Sequence, residues 1–309
     1  MSTVRGPGEG AGDGEGVGDV RRRVDSLLWF HSIDVGHGVV TKGISEATLP
    51  DALLPDFRGK SVLDIGAWDG YYSYLAERRG ASRVVAIDHY AWGVDIPARN
   101  AYWVECAQAG RLPDHRRDVT QFWRPDLPGK RGFDLAHELL DSKVESVVAD
   151  FTEIEVAELG TFDVVVYCGV LYHMKEPLTC LERVRTVTDE VAVVETEAIH
   201  LQHLEGLPLS QFRAGNEVNG DFGNWWVPDL SSLRAMCRAA GFASTTVLQG
   251  PPPPPEPDPA TVPAGLGANL EAVGRALLRR WRNGGQPPPE PPPPSAPTQH
   301  YRAVLHAHA

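Results

Sequence analysis

Six short runs rich in β-branched residues, interleaved with helical segments, constrain this chain more than any other feature. The runs are 62–65, 83–87, 144–149, 162–168, 191–196 and 243–248; the helical segments are 71–79, 133–142, 177–186 and 230–240, the last closed by Gly241. Near-continuous apolar strands alternating with helices predict an α/β fold, a parallel sheet with helices on both faces. A seventh strand is read in the final "HYRAVLHAHA". The 309 residues suit one large domain with insertions or two small ones, and a hydrophobic share of 42% supplies a sizeable core.

Two stretches interrupt the pattern. Residues 89–132 are far longer than an ordinary βα connection. They hold Trp92, Tyr102, Trp103, Phe122 and Trp123, enough for a surface insertion with its own small core or for a substrate lid. The lid is the expectation, because the segment leaves the carboxyl end of a strand, where α/β sheets bind ligands. Residues 251–297 carry "PPPPPEPDP" and "PPPEPPPP", which favour extended chain. Between these tracts Leu266, Leu270, Val273, Leu277 and Trp281 share one helical face. A strand after such a tract makes sense if it pairs back into the sheet, so the tract is read as an insertion in a hairpin between the sixth and seventh strands. The expected organisation is a Gly-rich disordered tail (1–20), an N-terminal cover (21–58), a core (59–250), the proline insertion (251–297) and the last strand (298–309).

Composition narrows the class. The net charge of -12 disfavours nucleic acid, since a uniformly acidic surface is repelled by phosphates. The four cysteines Cys106, Cys168, Cys180 and Cys237 form no CxxC pair and read as reduced thiols of a cytoplasmic protein. No apolar run reaches the roughly 18 residues of a membrane span, and the start lacks the apolar segment of a signal peptide.

The stretch "VLDIGAWDG" fits an acidic-x-Gly-x-x-x-Gly pattern at Asp64, Gly66 and Gly70. Such a turn lets backbone approach a ligand. Asp64 would repel a pyrophosphate and suits an amino group. Asp88 ends the second strand, where a carboxylate accepts ribose hydroxyls. Asp150 can take an adenine amino donor while Phe151 packs on the ring. An amino acid, a ribose and an adenine without phosphate describe S-adenosylmethionine (SAM). Trp68 stands where a second glycine would be; it either walls the pocket, packs under the N-terminal segment, or serves packing alone.

"VLDIGAWDG", Asp88, "ADF" and "FDVVVYCGVLYHMKEPL" resemble the successive motifs of class I SAM-dependent methyltransferases. The resemblance covers residues 59–250 plus the last strand, and implies a Rossmann-like seven-stranded sheet with the last strand antiparallel. "GVLYH" (169–173), "VETEAI" (194–199), "FGNWWVP" (222–228) and "RAVL" (302–305) are closer still to the tRNA wobble-uridine (carboxy)methyltransferases and their small-molecule relatives. Ala67, Trp68, His89, Cys168 and Gly169 join Asp64, Gly66, Gly70, Asp88, Asp150 and Phe151 as the implied cofactor set.

Methyl transfer requires alignment, exclusion of water and often removal of a proton. No metal-ligand cluster is evident, and none is expected. His173, past the fourth strand, titrates near neutrality and is the first candidate base. Tyr172 and Glu195 are the further catalytic candidates, and the resemblance implies that Tyr172 orients ligand. Glu217 and Asp221 are weaker candidates. Trp29, His31, Tyr172, Glu197, Trp225, Trp226 and Arg302 are expected on the substrate, with the two adjacent tryptophans clamping a flat ring. The segment 27–43 is either a structural cover or a closure over the SAM pocket. Three functions follow: a methyltransferase acting on oxygen or nitrogen of a small aromatic or glycosylated metabolite, a tRNA wobble-uridine modifier, or a non-catalytic SAM-binding regulator with proline tracts for docking. The resemblance implies that the tRNA enzymes hold an extra cofactor carboxylate with arginine and lysine; Arg302 matches the arginine, and Lys42 is a lone lysine candidate. The expected partner is a small-molecule acceptor, with no membrane and a homodimer left open.

Overall fold

The computed structural model describes residues 16–45, 48–201, 204, 207–253 and 299–309. The chain opens with α1 (Val17–Asp25), followed by β1 (Ser61–Ile65), α2 (Tyr71–Arg78) and β2 (Arg83–Asp88). The 89–132 segment supplies α3 (Tyr90–Gly93), α4 (Ile96–Gln108) and α5 (Arg116–Thr120). Next come α6 (Arg131–Leu139), β3 (Glu145–Val148), β4 (Phe162–Cys168), α7 (Pro177–Thr186) and β5 (Thr188–His200). A small ribbon of β6 (Ser210–Phe212) and β7 (Trp226–Pro228) precedes α8 (Leu230–Ala239), β8 (Ser244–Gln249) and β9 (Gln299–His308).

The main sheet has seven strands in the order β3-β2-β1-β4-β5-β9-β8. β1 to β5 are parallel, and β9 is antiparallel to both β5 and β8. This is the Rossmann-like α/β sheet expected from the sequence. Period-two alternation builds its two cores. Val62, Val84, Val164 and Val193 are buried with Val20 and Val24 of α1, Tyr74 of α2 and Phe133 of α6. Leu63, Val85, Val165 and Ala192 are buried on the other face with Leu181 of α7 and Leu233 of α8. Burying each Val or Leu contributes roughly 1.5–3 kcal/mol, so a strand buried on both faces retains almost no polar residue until its carboxyl end. The strand order reverses between β1 and β4, the switch point outside which ligands of such sheets bind.

Several boundaries differ from expectation. Residues 17–20, placed in the tail, form the start of α1, because Val20 and Val24 bury against the core. β5 runs past Thr196 to His200, because β9 pairs with it continuously from Val191↔His308 to His200↔Gln299. The β6–β7 ribbon was not expected; three-residue strands carry too little periodicity to read. The hairpin of β8 and β9 is present, with Ser244 opposite His308. The proline tract from 254 onward, its face of Leu266, Leu270, Val273, Leu277 and Trp281, and residues 1–15 lie outside the described residues.

The 89–132 segment has a core of its own: Val94, Ile96, Tyr102, Trp103, Cys106 and Phe122, joined by Phe222 from the segment between β6 and β7. Trp92 instead belongs to the main core, fully buried against Phe133 of α6. Among the described residues no helix is long and apolar enough to cross a membrane.

Candidate active site

The loop after β1 turns on two glycines in the left-handed region, Gly66 (φ 77°) and Gly70 (φ 85°). A Cβ on Gly66 would stand 2.6 Å from Val170 Cγ2, and one on Gly70 would stand 2.5 Å from the Tyr74 ring. Glycine is therefore required here both for conformation and for space. Trp68 also has positive φ, 44°, a conformation costly for a bulky residue. Three contacts hold it there. Its N–H donates to Asp88 Oδ2 at 3.0 Å, its carbonyl accepts from Trp92 Nε1 at 2.6 Å, and its ring stacks on Phe30 at 4.2 Å. Of the alternatives open from the sequence, Trp68 packs under the N-terminal segment, and the loop keeps its shape around it.

Buried carboxylates line this end of the sheet. Asp64 accepts from Ser73 Oγ at 2.6 Å, and burial raises its carboxyl to about 6 against the pull of that hydroxyl. Asp88 is buried and accepts from the N–H groups of Trp68 and Ala91, each at 3.0 Å; burial raises it as well. Asp150 accepts through Oδ1 from the N–H and hydroxyl of Thr152, while its Oδ2 stands 4.0 Å from His89 Nδ1. Phe151 is buried beside it. The His89 ring lies 4.3 Å from that of Trp123, which is seated where any side chain on Gly93 would overlap it. Ala67 is buried under the loop, its carbonyl taking the Gly70 N–H at 2.7 Å.

The carboxyl ends of β4 and β5 carry the second half of the site. Gly169 (φ 74°) leads into the short 3-10 turn Leu171–His173. Cys168, its thiol pushed well up by burial, points Sγ to Val193 O at 3.8 Å. His173 Nδ1 lies 2.9 Å from the carbonyl oxygen of Gly223. A carbonyl only accepts, so Nδ1 carries the proton and Nε2 carries the lone pair. Burial lowers the His173 pKa below 6.5; Asp221 and the Gly223 bond oppose this, and Arg99 and Arg302 add to it. Tyr172 is buried beside it, with ring centroids 4.2 Å apart. Arg302 reaches from β9, where it stands opposite Glu197. Its guanidinium grips Glu195 as a fork, Nε on Oε1 and Nη2 on Oε2, while Nη1 reaches Tyr172 Oη at 3.2 Å and Glu197 Oε1 at 3.3 Å.

These residues meet at the carboxyl edge of a seven-stranded sheet with an antiparallel last strand, and the family model of the methyltransferase domain matches residues 44–247. The chain belongs to the class I SAM-dependent methyltransferases. The tRNA U34 carboxymethyltransferase of Pseudomonas paraeruginosa is 26% identical over 195 residues, 61% of this chain and 46% of that protein. The protein of the same name from Sulfurimonas denitrificans is 26% identical over 155 residues, 50% of this chain and 49% of its own. The chain thus spans about half the length of the curated relatives it matches. The N-terminal domain of EvdMO1, solved in the presence of SAH and D-fucose, shares the fold at a TM-score of 0.51 and 20% identity, over 74% of this chain and 88% of that one.

The methyltransferase site fits SAM. Gly66 and Gly70 let the loop turn tightly against Val170 and Tyr74, and carboxylates such as Asp64, Asp88 and Asp150 are of the kind that accepts from ammonium, hydroxyl and amino donors. Asp88→Ala removes the carboxylate expected to accept from the ribose and also the anchor of Trp68. SAM affinity is expected to fall at least about tenfold by calorimetry; unchanged affinity would remove Asp88 from the site.

Not every expected residue reaches this methyltransferase site. Trp29 is 2% exposed, with Nε1 donating to Val24 O at 2.9 Å; it is core, because the cover must bury its own apolar residues. Glu195, expected in catalysis, is taken up by the Arg302 fork. Trp225 meets His115 of the insertion at 4.8 Å, whereas Trp226 donates to Lys175 O at 3.1 Å and lines a separate cleft with Ser210. Both also pack on Phe212 of β6, with ring centroids at 6.4 Å from Trp225 and 5.0 Å from Trp226. Lys42 is exposed and pairs with Asp25 at 3.0 Å, and Glu217 is exposed. The sequence reading missed Asp69, which is 1% exposed and binds the N-terminal segment to the glycine loop. Its position inside the motif was the available signal.

Proposed function

We propose that the enzyme methylates a hydroxyl on the sugar of a small glycosylated metabolite, with His173 as general base. The observation that carries this reading is the tautomer of His173. The Gly223 carbonyl fixes the proton on Nδ1, and burial keeps the ring neutral, so Nε2 is a ready acceptor at neutral pH. An alcohol is a poor nucleophile until its proton leaves, and such a base is of most use to an oxygen acceptor. SAM supplies a methyl group on a sulfonium; the chain's own residues align the hydroxyl, accept its proton at Nε2 and exclude water.

The surroundings favour a sugar. A cleft of about 240 Å3 lies between α4 and the segment before β7, with Trp103 and Phe222 as aromatic walls and Asn100, Asn216, Asn219 and Asp221 as polar lining. Planar amides and carboxylates suit hydroxyl groups, and an aromatic face suits the C–H face of a pyranose. Asn219 also donates to Glu197 at 2.9 Å, linking the cleft to the strand end. The 89–132 segment walls this cleft through α4, where a substrate lid would stand. The N-terminal domain of EvdMO1, which shares the fold, was solved in the presence of a sugar, D-fucose.

The curated relatives favour a tRNA uridine acceptor and a carboxymethyl group as the second reading. The charge of -12 weighs against tRNA. A donor carboxylate would need an available cation, and Arg302 already faces Glu195 and Glu197. Incubation with SAM and a panel of glycosides and matched aglycones should add one methyl to the glycoside alone, as read by mass spectrometry. Methylated aglycone, or a carboxymethyl group delivered to tRNA from carboxy-SAM, would overturn the proposal.

A further inference from the structure

The amino-acid end of SAM carries an ammonium and a carboxylate, and the two need opposite partners. Asp64 at the end of β1 serves the ammonium and repels the carboxylate. Asp69 and Asp88, the other buried carboxylates around the loop, repel it too. A side-chain donor for that carboxylate is offered by the N-terminal segment, which packs on the loop at Phe30 and His31.

Asp69 holds this segment by three bonds. Oδ2 accepts from the N–H of Phe30 at 2.8 Å and of His31 at 2.7 Å, and Oδ1 lies 2.6 Å from His31 Nδ1. The Phe30 ring on Trp68 adds a fourth contact. The His31 imidazole, 8% exposed, stacks on Tyr71 at 5.1 Å and meets Tyr72 edge-on at 6.1 Å. Position and ring plane are thereby fixed beside the first residue of α2, the positive end of that helix. Asp69 takes Nδ1, and Nε2 is left to meet a ligand.

We infer that His31, docked by Asp69, holds the carboxylate of SAM. In that arrangement Nδ1 faces Asp69 and Nε2 faces the cofactor carboxylate, one charge-assisted bond on each side. His31 thus moves from the acceptor, where the sequence placed it, to the cofactor, and Asp69 is its positioning residue. The inference rests on the SAM site and is independent of which acceptor is used.

The test is calorimetry on the full chain with three ligands: SAM, decarboxylated SAM, which keeps the amine, and 5′-methylthioadenosine, which lacks the whole amino-acid end. H31A and D69N should weaken SAM about tenfold or more, leaving the other two ligands within about twofold. H31Q, which keeps one donor, should fall between wild type and H31A and serves if H31A does not fold. The inference is overturned if H31A binds SAM like wild type, if all three ligands weaken equally, or if only the KM of the acceptor changes. A wild-type protein that binds none of the three would instead refute the cofactor site itself.

Discussion

Replacing His173 with alanine is expected to lower kcat by roughly 10²–10⁴ while SAM affinity stays near wild type. The ring is held by the Gly223 carbonyl in the tautomer that leaves Nε2 basic. His173→Asn is the sharper variant, because its amide can keep the bond to Gly223 without offering a base; it should be as slow as the alanine variant. The pH profile checks the same assignment. Burial, reinforced by Arg99 and Arg302, lowers the pKa of His173 below 6.5 although Asp221 opposes it. The active form is neutral, so kcat should rise as pH increases through that lowered pKa and then stay level across neutrality. The acidic limb should vanish in both variants. A variant with full rate and an unchanged profile would return catalysis to proximity and alignment alone, which suffice for an acceptor that is already a good nucleophile.

The difference between what the sequence revealed and what it hid follows from the range of each signal. Strands such as 83–88 and 162–168 announce themselves because burial on both faces leaves almost nothing but β-branched and aromatic residues. Their ends are legible because a carboxylate such as Asp88 breaks that run. Gly66 and Gly70 are legible because their conformation forbids most other residues. Pairings made by long-range packing carry no such mark. Glu195 and Arg302 are separated by 107 positions, and only the register of β9 against β5 brings them together. Gly223 lies fifty residues from the histidine whose proton it fixes. Trp68 looked like a fault in the motif because the residues that make it useful, Phe30 and Trp92, come from segments with no recognisable pattern. Asp69 was in plain view, yet its partners are backbone N–H groups of a segment whose path the sequence did not define.

Arg302→Met is expected to destabilise the fold by roughly 3–5 kcal/mol, the usual cost of leaving a buried charge without its partner. Glu195 is 5% exposed and Glu197 8% exposed, so neither can recover its lost bonds from bulk water. Arg302 answers both, gripping Glu195 with its fork and touching Glu197 and Tyr172 with the remaining nitrogen. For a domain of this size the loss should lower Tm by on the order of 10 °C. Arg302→Lys keeps the charge but cannot reproduce the fork, and should fall between the two. The double variant Glu195→Gln, Arg302→Met removes one of the two orphaned charges and should recover part of the loss, since much of the penalty belongs to the carboxylates left behind. Thermal and urea unfolding of the four proteins would decide the matter. If Arg302→Met unfolds like wild type, the pair is exposed in solution and Arg302 is free to meet an anion. In that case Arg302 could meet the extra carboxylate of carboxy-SAM. If stability falls as expected, Arg302 is bound to its own sheet, and the strand-end geometry that positions Tyr172 beside His173 depends on that bond.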